Sequence, residues 1–220
     1  MHRLITTTLI LLLSAPAFAG DTKTVTATPA ATAATAAKTT GLGTTAVKTA
    51  NEKIAGLLKQ KPAAGSKEEK DLAAKVTTSV RDFLDIDELG KRAMADQWAK
   101  LKPEQQQEFL STLRALIEFN YVRGLRSNLS YTVDYAGEST DKDGNTLVTT
   151  VVNTKRKGRP FKIHVDYVLK KQGDKLRAWD VVTDGSGLVE NYKQMFNKII
   201  SKDGFDGLIS RMKKKQSEAS

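Results

Sequence analysis

Five apolar residues, Phe161, Ile163, Val165, Tyr167 and Leu169, alternate with Lys162, His164, Asp166, Val168 and Lys170. A period of two with one apolar face predicts a strand lying against a core. Gly173-Asp174 turns the chain, and Leu176 to Thr183 returns antiparallel. Asp184-Gly185-Ser186-Gly187 then breaks the sheet, and a helix runs from about Leu188 to Ile200. A hairpin of this kind needs other elements to cover its apolar face, so the rest of the chain is read for what could do so.

The preceding segments supply both strands and cover. Tyr131, Val133 and Tyr135 alternate with Thr132 and Asp134, Asp143-Gly144 marks a turn, and Leu147 to Thr154 is rich in β-branched residues. Arg156 to Pro160 is a basic turn. Upstream the period is helical. Val47, Ile54, Leu57 and Leu58 share a face that starts near Thr45 and stops at Pro62. Ser66 with Glu69 and Asp85 with Glu88 have capping-box spacing. They open one helix bearing Leu72, Val76, Val80 and Phe83, and another bearing Ile86, Leu89, Ala93 and Trp98. Pro103 starts a long helix over about 103–127 with Phe109, Leu113, Leu116, Ile117, Tyr121 and Leu125 on one face. Gly204 and Gly207 bracket a kink before a last short helix with Leu208, Ile209 and Met212. Helices and strands are segregated along the chain, so the expected class is α+β, with helices over one face of a curved antiparallel sheet of about four strands.

Residues 1–19 read as a secretory signal: Arg3, an apolar run from Leu4 to Leu13, and a small-x-small site at Ala17-Phe18-Ala19. Residues 20–45, mostly Ala, Thr and Lys, have few large side chains to bury and read as a flexible tether. Residues 46–216 then form the folded domain. The net charge is +10, or +9 once Arg3 is removed with the signal. Export makes nucleic acid an unsuitable partner, whereas acidic headgroups and acidic proteins suit the charge.

Few groups are equipped for catalysis. There is no cysteine, and beyond the signal His164 is the single histidine, on the polar face of its strand. No Ser-His-Asp set or phosphate-cradling glycine loop is present, so no catalytic residue, metal ligand or cofactor is assigned. Asp141-Lys142-Asp143-Gly144-Asn145 begins like a calcium loop but lacks the late glutamate and reads as a hairpin turn. Arg211 and Lys213 to Lys215 read as a solvated helix end or a contact for acidic headgroups. The aromatic residues on the apolar faces suit either plain core or a ligand pocket.

Ordered motifs from Thr77 to Lys215 resemble those of the MlaC family, also called toluene-tolerance auxiliary proteins. They are Phe83-Leu-Asp-Ile-Asp-Glu-Leu-Gly-Lys-Arg-Ala, Trp98 with Pro103-Glu-Gln and Phe109, and Val165-Asp-Tyr-Val-Leu. Trp179-Asp-Val-Val with Gly185, Leu188-Val189, Asn191-Tyr192 and Phe196, and then Gly204-Phe-Asp-Gly-Leu-Ile, complete the set. Gly187 stands where the family commonly has Ser, Lys193 where it often has Arg, and Lys102 where a small capping residue is usual before Pro103.

The resemblance implies a periplasmic phospholipid carrier, not an enzyme. Its partners would be an inner-membrane MCE-type ABC transporter complex and an outer-membrane lipoprotein complex. It also implies that helices and sheet enclose an apolar cavity for the acyl tails. The expected lining is Val133, Tyr135, Val151, Ile163, Val165, Tyr167, Trp179 and Val181 from the sheet, and Leu113, Leu116, Ile117 and Tyr121 from the long helix. Leu188 and Tyr192 would close one end, and the glycines of 184–187 would let the following helix move. Alternatives are a carrier of another apolar ligand such as a hopanoid-type lipid, an enzyme using the covered sheet, and a non-catalytic periplasmic adaptor.

Overall fold

The computed structural model describes residues 41–123, 130–156 and 158–217. Four helices come first: α1 (Leu42–Leu58), α2 (Lys67–Phe83), α3 (Ile86–Met94) and α4 (Pro103–Arg123). The strands follow as β1 (Thr132–Thr140), β2 (Thr146–Arg156), β3 (Arg159–Gln172), β4 (Lys175–Thr183) and β5 (Ser186–Gly187), and α5 (Leu188–Ser217) ends the domain. The strands pair antiparallel in sequence order, an unclosed meander with β1 and β5 at its edges. The expected α+β class is therefore present. The signal, the tether up to residue 40, Leu125 and Lys157 lie outside the described residues.

Local chemistry explains most boundaries. The Ser66 side chain accepts from the Glu69 amide at 3.1 Å, while Glu69 reaches back to accept from the Gly65 amide at 2.7 Å. Asp85 caps α3 by accepting from the Glu88 amide at 3.2 Å. Gln105 takes the Lys102 amide at 3.1 Å, which supplies a cap where the sequence offers no small capping residue. In α2, Leu72, Val76, Val80 and Phe83 are all buried, as their spacing requires.

Four expectations need correction. Trp98 does not extend α3. Ala95, at φ 46°, ends that helix, and Trp98 sits in a 3-10 turn over Ala95–Lys100. The segment after β4 turns the sheet instead of breaking it: positive φ at Asp184 and Gly185 makes a tight hairpin, and Ser186–Gly187 pairs back on Val182–Thr183. Asp184 is fixed there, since its carboxylate accepts from the His164 amide and its own amide donates to the His164 carbonyl. Pro160 belongs to β3 rather than to a turn.

Finally, α1 begins at Leu42, inside the segment read as tether. Its N-cap is Gly41, which has no side chain to offer, and the cap comes from far away: Glu138 of β1 accepts from the Thr44 amide at 2.6 Å. Both glycines are there for close approach. A Cβ on Gly41 would lie 1.7 Å from a Glu138 carboxylate oxygen, and one on Gly43 would lie 2.5 Å from the Thr146 methyl.

The core is one continuous layer between helices and sheet. An aromatic chain runs through its helical side. Trp98 meets Phe109 edge-on at 6.3 Å, Phe109 meets Phe196 edge-on at 5.4 Å, and Phe196 stacks on Tyr192 at 5.2 Å. The basic end of α5 is paired: Arg211 with Asp203, and Lys213 with Glu108 of α4 at 2.7 Å.

Candidate lipid-binding site

Register decides which sheet residues face the helices. Val152 pairs with Ile163, Thr150 with Val165, Val148 with Tyr167, and Tyr167 with Val181. Because residues directly opposite one another share a face, these form the inner face, and all are buried. On β1, Val133 and Tyr135 pair with Val152 and Thr150 and so face the same way. From the helices, Leu113, Leu116, Ile117 and Tyr121 of α4 and Leu188 and Tyr192 of α5 are buried in the same core.

Two of the residues read as lining do not belong to this layer. Val151 pairs with His164, on the outer face. Trp179 sits in a bulge, because Leu169 pairs with Ala178 and Val168 with Asp180, leaving Trp179 as the extra residue. Its indole N–H points to the Asn145 side chain at 3.4 Å, and the Arg92 guanidinium lies 4.0 Å from its ring centroid.

The inner face is least covered along β1. Tyr131, Val133 and Tyr135 are only half-buried although they touch the core, whereas Ile163, Val165 and Tyr167 of β3 are buried. The apolar layer thus reaches the surface beneath the edge strand.

All five tyrosines of the chain gather in this region. Tyr121 is within electrostatic reach of Tyr131, Tyr167 and Tyr192, and Tyr135 of both Tyr131 and Tyr167. Asn51 of α1 bridges two of them, donating to the Tyr135 hydroxyl at 3.5 Å and accepting from that of Tyr167 at 3.4 Å. Both bonds are long, so α1 is only loosely latched to the sheet here.

Burial raises the pKa of every tyrosine in the group, taking Tyr167 up to about 12 and holding Tyr121 and Tyr192 higher still. A raised folded-state value means stability is intact below pH ~10 and drains away as pH rises through the folded values. Spectrophotometric titration is therefore expected to show Tyr121, Tyr167 and Tyr192 ionising only together with alkaline unfolding. Normal titration of all five in folded protein would contradict this placement.

Asp180 has a different role. Burial raises its pKa, while amide donation from Val189, at 3.0 Å, and from Val181 opposes that shift. Its carboxylate thereby secures the first turn of α5.

A separate open groove of about 800 Å³ lies at the other end of β2 and β3. Its lining includes Leu42, Ala46, Ala50, Phe83 and Leu176 together with Lys53, Asp82, Glu138 and Lys171, and none of the residues read as lining from the sequence. It touches the tyrosine cluster through Phe83, whose ring stands edge-on to Tyr167 at 5.8 Å. The calcium-like loop is a turn: Asp141 spends its carboxylate on the amides of Asp143 and Asn145 and on the Asn145 side chain. Those bonds, the Asn145 side chain foremost, lower its pKa. Among the described residues no three metal-binding side chains cluster, and no helix is long and apolar enough to cross a membrane.

Sequence reasoning missed Asn51 and Thr150. Asn51 had a signal, because it interrupts the Val47, Ile54, Leu58 stripe of α1 with a polar residue. Thr150 had none: it is fully buried and donates its hydroxyl to the Val165 carbonyl at 2.7 Å.

A family model described as MlaC protein matches residues 48–214. The chain is 20% identical over 144 residues to the intermembrane phospholipid transport system binding protein MlaC of Haemophilus influenzae, over 65% of this chain and 67% of that one. The solved structure of a phospholipid-binding protein from Ralstonia solanacearum, in complex with a phospholipid, has the same fold. The TM-score is 0.66 at 24% identity, covering 80% of this chain and 97% of that one. Because the family match spans most of the folded domain, the chain belongs to the MlaC family.

Proposed function

We propose that this protein is a periplasmic phospholipid carrier. It is exported by its first 19 residues and passes lipid between an outer-membrane lipoprotein complex and an inner-membrane MCE-type ABC transporter complex. The observation that carries the proposal is the apolar layer that reaches the surface beneath β1, where Tyr121, Tyr131 and Tyr135 gather. Each acyl CH₂ left in water costs about 0.8 kcal/mol, so a two-chain lipid crosses an aqueous gap only with its tails enclosed. Tails lying between Ile163, Val165 and Val181 on one side and Leu116, Ile117 and Tyr121 on the other would meet only apolar surface and ring edges. The glycerol esters would then stand near the hydroxyls of Tyr121 and Tyr192, which can donate to them. One relative is named as the binding protein of an intermembrane phospholipid transport system, and the Ralstonia structure holds a phospholipid, which supports the same reading.

For the tails to enter, helices and sheet must part along β1. The long Asn51 bonds make the middle of α1, beyond the Glu138 clasp at its start, the part that yields first. The decisive measurement is native mass spectrometry of the purified protein with lipid extraction, followed by incubation with fluorescent phospholipid vesicles. We expect about one lipid per chain. Protein that is lipid-free as isolated and takes up none from vesicles would overturn the proposal.

A further inference from the structure

The β2–β3 hairpin outruns its neighbours. β1 begins at Thr132, opposite Asn153, and β4 pairs with β3 only as far as Val165. Beyond the Thr154–Phe161 pair, where Thr154 is still held to Ser130, no other strand among the described residues pairs with Lys155–Pro160 or Arg156–Arg159, which form an arm past the edge of the sheet. Lys155, Arg156, Arg159 and Pro160 on it are exposed, as is Lys162 at its base. The described residues between 154 and 162 carry four cations, Lys155, Arg156, Arg159 and Lys162, and no acidic residue. Arg156 lies directly opposite Arg159, a like-charged cross-strand pair that weakens a hairpin, and its guanidinium sits 5.6 Å from the Phe161 ring centroid. Among the described residues, no ion pair engages Lys155, Arg156, Arg159 or Lys162.

We propose that this arm docks the protein on anionic bilayer surfaces. Lys and Pro also guard a free strand edge against pairing, but that role does not need Arg156 opposite Arg159, a pair that weakens the hairpin itself. A protein partner adding a strand would be opposed by Pro160 and by the same cations. A plane of anionic headgroups requires only charge and access, and the arm supplies both. The placement is useful too. The Thr154 hydroxyl donates to the Ser130 carbonyl at 3.1 Å, so the arm springs from the end of the sheet where Tyr131 leads into β1 and the apolar layer meets the surface.

The test is flotation of the full chain with vesicles of phosphatidylcholine alone or mixed equally with phosphatidylglycerol. We expect binding to the mixed vesicles only, weakening as salt is raised. Replacing Lys155, Arg156 and Arg159 together by Ala should lower the partition roughly a hundredfold, at about fivefold per cation. The melting curve should stay the same, since the arm lies outside the core. Removing equal charge from exposed α2 positions, by Lys67→Ala, Lys70→Ala and Lys75→Ala, should leave binding intact. Equal binding to neutral vesicles, or loss from the α2 variant matching that of the arm variant, would overturn the proposal. So would wild-type protein that ignores both vesicle types, and the arm would then fall to an acidic protein. Vesicle docking and lipid uptake are measured separately, so this inference and the carrier reading can fail independently.

Discussion

Val165→Asp should leave the domain largely unfolded at pH 8 and recover much of its stability as pH falls toward 5. Val165 is 2% exposed, in the middle of β3 and paired with Thr150 and Thr183. A carboxylate placed there has apolar neighbours and no cation to face. Burial of this kind raises a carboxyl pKa by up to ~3–5 units, or about 4–7 kcal/mol at 1.36 kcal/mol per unit. That is comparable with the entire stability of a typical domain, about 5–15 kcal/mol. Because the folded-state value is raised, the penalty is absent below the unfolded value and grows as pH climbs through the folded one. Circular dichroism melts between pH 5 and 8 read this directly. Lipid uptake assayed at pH 5, where the variant is folded, then separates a polar pocket wall from a lost fold: with Val165 against the tails, uptake falls there as well. Full uptake at pH 5 would remove Val165 from the wall.

Phe109→Ala is expected to cost about 3–5 kcal/mol and to lower the melting temperature by roughly 10 °C. Phe109 is fully buried at the centre of the Trp98–Phe109–Phe196 contact, so its removal strips an edge-on partner from each neighbour and opens a cavity where α4, α5 and the 3-10 turn meet. Phe109→Leu, which keeps most of the volume, should cost much less. A denaturant series that left the two variants equal would show that this aromatic chain is not a structural joint.

The helices were legible because their signals are local. Ser66, Asp85 and Pro103 mark helix starts within a few residues of the stripes they serve. The start of α1 was not, because its cap is Glu138, held 94 residues away by the fold. The inner face of β3 followed from simple alternation. That of β2 did not, since both its faces carry apolar residues, and the register that buries Thr150 turns Val151 outward. Trp179 was misplaced for a related reason: a bulge changes the phase of alternation by one residue, and no composition signal announces it. The tyrosines could each be assigned to an apolar face, but their convergence on Asn51 depends on how α1 crosses the sheet.

The clasp between Gly41 and Glu138 sets the polarity of the molecule. It fixes the start of α1 against Thr146, at one end of β2, while Arg156 ends the same strand at the tip of the arm. Ten residue steps separate the two, roughly 33 Å at 3.3 Å per residue. A domain resting by its arm on a bilayer therefore holds residue 41 far from the headgroups. A fluorophore attached just ahead of Gly41 becomes a height gauge for the standing domain, quenched weakly by headgroup-bound acceptors when the arm is down and strongly if the molecule lands the other way up.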